Sequence, residues 1–129
     1  MRQIWIVDDE PDFRMLIQMM LKKEGFNVRQ VESGEQCLEF LSNGEVADLI
    51  LLDVMMPGID GWEVCRRVKK NRAISMVPVC MLTAKTTPYD VHVSLNKANA
   101  NWHLNKPVNK DKLLEAVNWL LEGALYKKP

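Results

Sequence analysis

Short apolar runs alternate along the chain with segments whose apolar residues recur every three to four positions. The runs predict strands, because a strand covered on both faces of a sheet is apolar throughout. The periodic segments predict helices with one apolar face. Strands are predicted at residues 3–7, 27–31, 49–52, 77–82 and 102–104. Helices are predicted over residues 12–24, 33–41, 61–70, 87–97 and 109–121.

Five consecutive strand–helix units predict an α/β fold in which a parallel sheet lies between two layers of helices. We predict a flavodoxin-like (βα)5 three-layer sandwich with the strand order 2-1-3-4-5. The chain has 129 residues, which is enough for one ordinary domain and too few for two. We therefore assign residues 1–125 to one domain and expect the polar tail at residues 126–129 to fray.

The charge balance narrows the classes of function. Basic and acidic residues number 17 each, so the formal net charge is zero and no electrostatic footprint for direct nucleic-acid binding stands out. The one basic stretch, at residues 66–72, is interpreted as the exposed last turn of a helix, where cations suit the helix dipole. A binding patch is the alternative interpretation of that stretch.

The cysteines and the hydropathy pattern indicate a compartment. Cys37, Cys65 and Cys80 are far apart and form no Cys-x-x-Cys pair, so neither a zinc site nor a disulfide framework is predicted. No apolar run approaches the roughly 20 residues that a membrane span needs, and the N-terminus lacks the layout of a signal peptide. We therefore expect a cytoplasmic protein without membrane insertion.

Polar and charged side chains follow the predicted strands at the points where the strands end. Asp8 and Asp9 follow the first strand, and Asp53 follows the most apolar one. Thr83 follows the fourth strand, and Lys106 comes shortly after the fifth. The carboxyl ends of parallel strands lie at one edge of the sheet, where open α/β sheets bind ligands. We therefore expect these five side chains to converge.

The chemistry of this set points to a metal ion and a phosphoryl group. Clustered carboxylates repel one another, and a hard divalent cation that prefers oxygen ligands, Mg²⁺, relieves the repulsion. A lysine and a threonine hydroxyl can bind phosphoryl oxygens, and a carboxylate can accept a phosphoryl group covalently. Taken singly, each aspartate can instead be a helix N-cap.

These residues lie in motifs that resemble the receiver domain of two-component response regulators, over nearly the whole chain. The most specific stretch is Leu-Leu-Asp-Val-Met-Met-Pro-Gly-Ile-Asp-Gly at residues 51–61. Val-Asp-Asp-Glu-Pro at 7–11, Thr-Ala at 83–84 and Lys-Pro at 106–107 support it. Each piece is weak alone, but all four in this order and spacing are specific.

The resemblance implies a role for each matching residue at the metal. Asp53 is expected to be the phosphoacceptor and to bind Mg²⁺. Asp9 is expected to bind the ion directly, and Asp8 to bind it through water. The backbone carbonyl of Met55 is the remaining protein ligand that the resemblance implies.

The resemblance also implies how the phosphoryl group is held and sensed. Thr83 is expected to sense it and Lys106 to pair with it, and the Lys106–Pro107 peptide bond is expected to be cis. Neither Met55 nor Lys85, two residues beyond Asp53 and Thr83, can position an attacking water. We therefore predict slow to moderate self-dephosphorylation.

The chain departs from the family pattern just before and within the last strand. Many receivers have Gly-Ala-Asp-Asp-Tyr there, whereas residues 99–103 read Asn-Ala-Asn-Trp-His. His103 stands where the family has a switch aromatic, so we predict coupling to Thr83, with a solvated histidine as the alternative. Trp102, if exposed, offers a contact on the face formed by the fourth helix, fifth strand and fifth helix, which signals in the family. Packing against a helix is the alternative for Trp102.

The leading hypothesis is a phosphoaccepting signalling switch that catalyses only its own phosphotransfer and dephosphorylation. A sensor histidine kinase or phosphotransfer protein is the expected donor, with contacts near Arg14, Met15 and the Pro107 loop. A downstream effector protein is the expected reader, and the protein is expected to be a monomer or a phosphorylation-dependent dimer. A docking module that works without phosphorylation and a magnesium-dependent phosphatase are the alternatives, and the tight loops disfavour the phosphatase.

Overall fold

In the computed structural model, which describes residues 1–123 and 128–129, strands and helices alternate as the sequence predicts. The strands are β1 (Gln3–Val7), β2 (Asn27–Val31), β3 (Leu49–Leu52), β4 (Val79–Thr83) and β5 (Trp102–Asn105). The helices are α1 (Pro11–Lys22), α2 (Gly34–Ser42), α3 (Gly61–Lys70), α4 (Pro88–His92) and α5 (Lys110–Leu121), and a π-helical turn, Val93–Lys97, continues α4. The predicted domain end at residue 125 and the start of the predicted tail lie outside the described residues.

The strands form one parallel sheet in the order β2-β1-β3-β4-β5, which confirms the predicted fold class and strand order. β1 and β3 are central neighbours, with Val7 in register with Leu52. Every residue of β3 is buried, because helices cover both faces of the sheet. The residue that follows β3 therefore leaves a fully apolar strand at the centre of the sheet edge.

Two apolar cores lie on opposite faces of the sheet. One packs under α2 and α3 and includes Trp5, Ile50, Val64 and Met81. The other packs under α1 and α5 and includes Leu113 of α5. It also includes strand residues that alternate with the first set: Ile4, Leu49, Leu51 and Leu82. This alternation gives the three-layer architecture that the strand pattern predicts.

Four helices begin at an N-cap residue of a type that favours capping, namely Ser, Asp, Thr or Asn. Ser33, Asp60, Thr87 and Asn109 each accept a hydrogen bond from the backbone amide three residues later. These caps satisfy amides that have no partner within the helix. They also fix where the chain turns from each sheet edge into the next helix.

Several predicted boundaries differ from the structure by one or two residues, and hydrogen bonding or strand pairing accounts for three of these differences. α1 ends at Lys22 instead of residue 24, because the Glu24 amide already donates to the Leu21 carbonyl in a turn. β4 begins at Val79 instead of residue 77, because the Val77 amide donates to Ile74. β5 extends to Asn105, which pairs with Thr83.

Of the predicted fourth helix, residues 87–97, Thr87 is the N-cap and residues 88–97 are helical, but the α-helix ends at His92. After His92 the hydrogen bonding changes, and the Ala98 amide donates to the carbonyl of Val93, five residues back, at 2.8 Å. The turn closes at Asn99, whose φ of 62° lies in the left-handed region. The wider turn contains a fully buried polar residue, Ser94.

The basic stretch on α3 is engaged in local contacts. Arg66 and Arg67 both pair with Glu63, and the ammonium of Lys69 donates to the carbonyls of Ser75 and Val77. These contacts favour the interpretation of the stretch as a helix face over that of a binding patch.

The three thiols, Cys37, Cys65 and Cys80, are free and buried. Burial raises the pKa of Cys37 to about 12 and that of Cys65 to about 11, and it also raises the pKa of Cys80. Within residues 1–123 and 128–129, no helix combines the length and apolar character needed to cross a bilayer.

Candidate functional site

The predicted aspartates of β1 and β3 meet at the centre of the sheet edge. Asp8 and Asp53 are the residues that follow the paired positions Val7 and Leu52, so the register itself places them side by side. Asp8 is fully buried and Asp53 is 4% exposed. The Asp53 amide donates to the Val7 carbonyl at 3.0 Å, which continues the strand pairing into the site.

Lys106 follows the outermost strand, β5, and its side chain extends to both aspartates. Its ammonium lies 2.7 Å from Oδ2 of Asp8 and 3.2 Å from Oδ2 of Asp53. The Lys106 amide donates to the Thr83 carbonyl at 2.8 Å, which holds the start of the β5–α5 loop against β4. The Lys106–Pro107 peptide bond is cis. The ring of Phe13 lies 4.1 Å from the Lys106 ammonium and shields one side of it.

The charges of these groups shift one another's proton affinity. Burial raises the pKa of Asp8, and the negative charge of Asp53 adds to that rise, while the Lys106 hydrogen bond opposes it. Burial lowers the pKa of Lys106, but its hydrogen bond to Asp8 and the charges of Asp53 and Asp8 outweigh burial and raise it. Lys106 is therefore a firmly protonated counter-ion for two buried carboxylates.

One lysine does not balance the acidic side chains at this edge. Oxygen atoms of Asp8, Glu10 and Asp53 all lie within 4.8 Å of one another, and Glu10 is exposed to solvent. This set of hard oxygen donors with an open side fits Mg²⁺, which takes one or two carboxylates and keeps several waters. The donor chemistry of the site thus suits the ion that the sequence predicts.

The group of converging carboxylates contains an acidic residue that the sequence did not predict, Glu10. Asp9 is exposed and is not part of that group, and its direct binding of the ion stays a prediction from the family resemblance. The chain turns at once into α1 with Glu10 as the N-cap residue, and the Glu10 amide donates to Oδ1 of Asp8 at 2.9 Å. This turn brings Glu10 back toward the strand ends.

Met55 and Thr83 flank the site. The Met55 amide donates to Oδ1 of Asp53 at 3.2 Å, which orients the carboxylate. Thr83 is fully buried at the end of β4, and its hydroxyl accepts a hydrogen bond from the Lys85 amide at 3.2 Å. Both predicted residues therefore lie at the same sheet edge as Asp53.

Arg14, near which the family resemblance places the donor contact, is itself buried. It is 7% exposed, and its guanidinium donates to the Asp8 carbonyl at 2.7 Å and to the Gln30 side chain at 3.2 Å. It therefore supports the β1–α1 loop from beneath. The helical spacing contained the signal for this, because Arg14 lies three and seven residues before the buried Ile17 and Leu21.

His103 lies beside Ser94 of the π-helical turn, and its coupling to Thr83 stays a prediction. Its Nδ1 lies 2.9 Å from the hydroxyl of Ser94 in the π-helical turn, and the same hydroxyl accepts from the indole N–H of Trp62 at 2.9 Å. Burial lowers the pKa of His103, while the Lys85 backbone and the charge of Asp90 oppose that shift. His103 is thus not a solvated strand-end histidine. Ser94 has no sequence signal, because the π-helical turn that buries it was not predicted.

Trp102 packs against the protein. Its ring meets the Trp119 ring of α5 edge to face, with centroids 5.4 Å apart, and it is half-buried. The ammonium of Lys128 lies 5.9 Å from the Trp102 ring centroid. This environment favours the packing interpretation over a freely exposed contact residue.

Known proteins resemble the chain in both sequence and fold. The sequence model of the response regulator receiver domain matches residues 4–118. The chain is 34% identical over 123 residues to Protein PilH of Pseudomonas aeruginosa, and the aligned region covers 95% of this chain and 100% of PilH. It is 39% identical over 127 residues to the transcriptional regulatory protein TcrA of Mycobacterium tuberculosis, which covers 98% of this chain. The chain spans about half of the length of TcrA and of the regulator GltR of P. aeruginosa, 49% and 51% respectively.

Solved structures of receiver domains and response regulators have the same fold as this chain. The signal receiver domain of a signal transduction histidine kinase from Syntrophus aciditrophicus has a TM-score of 0.88 and 32% identity, covering 99% of this chain and 96% of that one. The response regulator protein TrrA of Thermotoga maritima, crystallised in complex with Mg²⁺-BeF, has a TM-score of 0.80 and 34% identity, covering 93% and 99%. The chain therefore belongs to the response regulator receiver domain family, whose members are signalling phosphoacceptors.

Proposed function

We propose that this receiver accepts a phosphoryl group on Asp53 from a sensor histidine kinase or phosphotransfer protein and thereby changes how an effector protein binds the face formed by α4, β5 and α5. The observation that carries the proposal is the placement of Asp53, a buried carboxylate at the central strand end whose Oδ2 lies 3.2 Å from the Lys106 ammonium. Among phosphoryl acceptance, phosphorylation-independent docking and phosphatase activity, phosphoryl acceptance is the role that uses the carboxylates, the lysine and the threonine at this sheet edge together.

In the transfer step, a carboxylate oxygen of Asp53 forms a bond to phosphorus as the bond from phosphorus to the donor histidine nitrogen breaks. The donor imidazole leaves with the electron pair of that bond and regains its proton from solvent. Lys106 pairs with a phosphoryl oxygen, and the Thr83 hydroxyl donates to another. The Met55 amide keeps the Asp53 carboxylate oriented toward the incoming phosphorus.

Asp8, Glu10 and Asp53 would hold Mg²⁺, with the Met55 carbonyl and Asp9 as the further ligands that the family resemblance implies. When bound, the ion neutralises the carboxylates and the phosphoryl oxygens so that the anionic donor can approach. The complex of TrrA with Mg²⁺-BeF supports this part of the proposal, since that receiver is 34% identical to this chain.

The donor surface in this proposal is the exposed apolar side of α1. It adjoins the sheet edge that carries Asp8, Glu10 and Asp53, which we call the acidic edge. Met15, Leu16 and Met19 are 55%, 47% and 56% exposed, whereas Arg14 is buried beneath them. Flexible methionines suit a surface that docks a helical partner. The free buried thiols agree with action in the reducing cytoplasm, and the state of assembly is a monomer or a dimer that forms on phosphorylation.

The test is labelling by a small-molecule phosphodonor, acetyl phosphate, with and without Mg²⁺, read by intact mass. We expect one added phosphoryl group that depends on Mg²⁺ and is sensitive to hydroxylamine, as an acyl phosphate is. Asp53→Asn should remove the label, whereas Asp111→Asn, in the first turn of α5, should keep it. A folded wild-type protein that takes no label would instead favour a docking module that works without phosphorylation.

Two further measurements complete the test. Phosphotransfer from a panel of histidine kinases would identify the donor. The decay of the label would measure the lifetime, which should be minutes or longer because neither Met55 nor Lys85 carries a carboxylate or amide side chain to position water. A half-life of seconds would contradict that expectation.

A further inference from the structure

A second buried polar cluster lies away from the acidic edge and joins three elements. Ser94 of the π-helical turn is fully buried, and its hydroxyl lies 2.9 Å from both the indole nitrogen of Trp62 on α3 and Nδ1 of His103 on β5. Buried hydroxyls need partners, and this one has two. The cluster is therefore a hydrogen-bonded chain from α3 through the π-helical turn to β5.

The protons that Trp62, Ser94 and His103 can donate limit the direction of the two hydrogen bonds between them. An indole N–H only donates, so Ser94 accepts from Trp62. A hydroxyl has one proton, and among the described residues Nδ1 of His103 is the one acceptor within hydrogen-bond distance of it. The Ser94 hydroxyl proton therefore has a partner when it donates to Nδ1, which requires an unprotonated Nδ1 and a neutral ring with its proton on Nε2.

The surroundings of the ring agree with a neutral state. Nε2 is buried and makes no well-formed hydrogen bond among the described residues, although the Lys85 backbone and the Asn105 side chain favour a proton on the ring. Burial has the larger effect and favours the neutral ring. Of the charged groups near the ring, Asp90 of α4 favours the protonated form, and the ammonium of Lys85 lies 4.0 Å from Asp90. β4 presents Met81, in register with His103, and α3 presents Trp62, so neither strand nor helix adds a charge.

The backbone of Ser94 is held as firmly as its side chain. The Ala100 amide donates to the Ser94 carbonyl at 2.9 Å, and the Ala98 amide closes the π-helical turn on Val93. The turn lies between α4 and β5, and both belong to the proposed effector-binding face. Ser94 is therefore fixed in position, and a rotation of the His103 ring would break the hydrogen bond between the two residues.

We propose that Ser94 and Trp62 are positioning residues for His103: they hold its neutral ring against the π-helical turn, so that α4 and β5 move as one unit. For its consequence in signalling the proposal rests on the proposed function. The positioning itself is tested in the unphosphorylated protein, so the two can fail separately.

The experiment is NMR of ¹⁵N-histidine-labelled protein titrated with pH. The wild-type His103 ring should show the tautomer with the proton on Nε2. Ser94→Ala should give mixed tautomers and raise the pKa of His103 by roughly 0.5 to 1, the worth of one hydrogen bond to the neutral form. Trp62→Phe, which keeps an aromatic ring but loses the N–H, should shift the ring signals in the same direction by less.

His92, the other histidine, lies exposed on α4 and bonds Asn96, so it provides the control within the same spectrum. Asn96→Ala should alter the His92 signals and leave those of His103 unchanged. A wild-type His103 protonated on Nδ1 would overturn the proposal. So would Ser94→Ala protein that is folded and keeps the wild-type tautomer and pKa.

The regulatory consequence has its own measurement. Adding beryllium fluoride with Mg²⁺ should shift backbone amide signals of α4 and β5 together in the wild type, and in Ser94→Ala the β5 signals should shift while those of Val93 to Lys97 respond less. If the two segments shift alike in both proteins, the coupling is absent. If acetyl phosphate fails to label Asp53, the proposed function fails, while the tautomer measurement still decides the positioning of His103.

Discussion

The two buried polar clusters of this receiver satisfy their polar atoms in different ways. At the acidic edge, the charges of Asp8 and Asp53 are opposed by Lys106, and the balance remains negative. Beneath the π-helical turn, Trp62, Ser94 and His103 are joined by hydrogen bonds between uncharged groups, and Nε2 of His103 is the polar atom of this cluster left without a well-formed partner among the described residues. The comparison teaches that the first cluster carries a net charge that a cation would offset, whereas the second holds three elements together without one.

The largest expected effect comes from removing the counter-ion of the acidic cluster. Lys106→Met should lower the free energy of unfolding by about 2–4 kcal/mol near neutral pH, because it leaves Asp8 and Asp53 buried side by side without a cation. Adding Asp53→Asn should restore at least half of that loss. Lys110→Met, which breaks a pair with Glu24 at the surface, should cost less than about 0.5 kcal/mol in the same urea unfolding experiments.

The pH dependence of this variant follows from the raised pKa of Asp8. The folded-state value already lies above the ordinary 3.8, and loss of the Lys106 hydrogen bond raises it further. Ionised Asp8 then destabilises the folded state, and protonation relieves this as the pH falls through the folded-state value. The deficit of Lys106→Met should therefore shrink as the pH falls toward 4. A deficit that grew on acidification would contradict this assignment of the charges.

A smaller effect is expected where the two clusters approach each other along the chain. Gly61 precedes Trp62, and a Cβ at Gly61 would overlap the carbonyl oxygen of Asp53 and touch Cε of Met81 at 3.0 Å. Gly61→Ala should therefore cost roughly 1–3 kcal/mol and slow labelling of Asp53, because the strand end must move. Gly44→Ala is the control, since Gly44 has open space around it and only its φ of 85° to oppose a side chain. It should cost about 1 kcal/mol and leave labelling unchanged.

The smallest effect tests the end of the π-helical turn. Asn99 has a φ of 62°, which asparagine tolerates better than alanine does. Asn99→Ala should cost about 0.5–1 kcal/mol in urea unfolding, and Asn99→Gly should cost nothing measurable. Equal stability of the two variants would show that this backbone conformation relaxes without cost.

The contrast between the clusters also explains what could be predicted from sequence. Strand ends are recognisable from the apolar pattern, and a parallel sheet brings them together. Asp8, Asp53, Thr83 and Lys106 could therefore be placed at one edge of the sheet from the sequence. The caps at Ser33 and Asn109 were predictable for a similarly local reason, since a polar residue precedes an amphipathic segment.

The rest depends on geometry that no local pattern contains. The position of Glu10 at the strand ends is set by how sharply the chain turns into α1. The burial of Ser94 depends on a single change of hydrogen bonding after His92, which the periodicity of residues 87–97 does not distinguish from a continuous α-helix. Trp102 looked like a contact residue because its partner, Trp119, is seventeen residues away on another element.

The buried thiols allow the opening of each layer to be timed separately. Cys37 and Cys65 lie in the core beneath α2 and α3, and Cys80 lies in the core beneath α1 and α5. A raised pKa and burial together keep each sulfur unreactive until its own layer opens. The rates at which a reagent alkylates the three thiols would therefore show whether the two helical layers open in one cooperative event or separately.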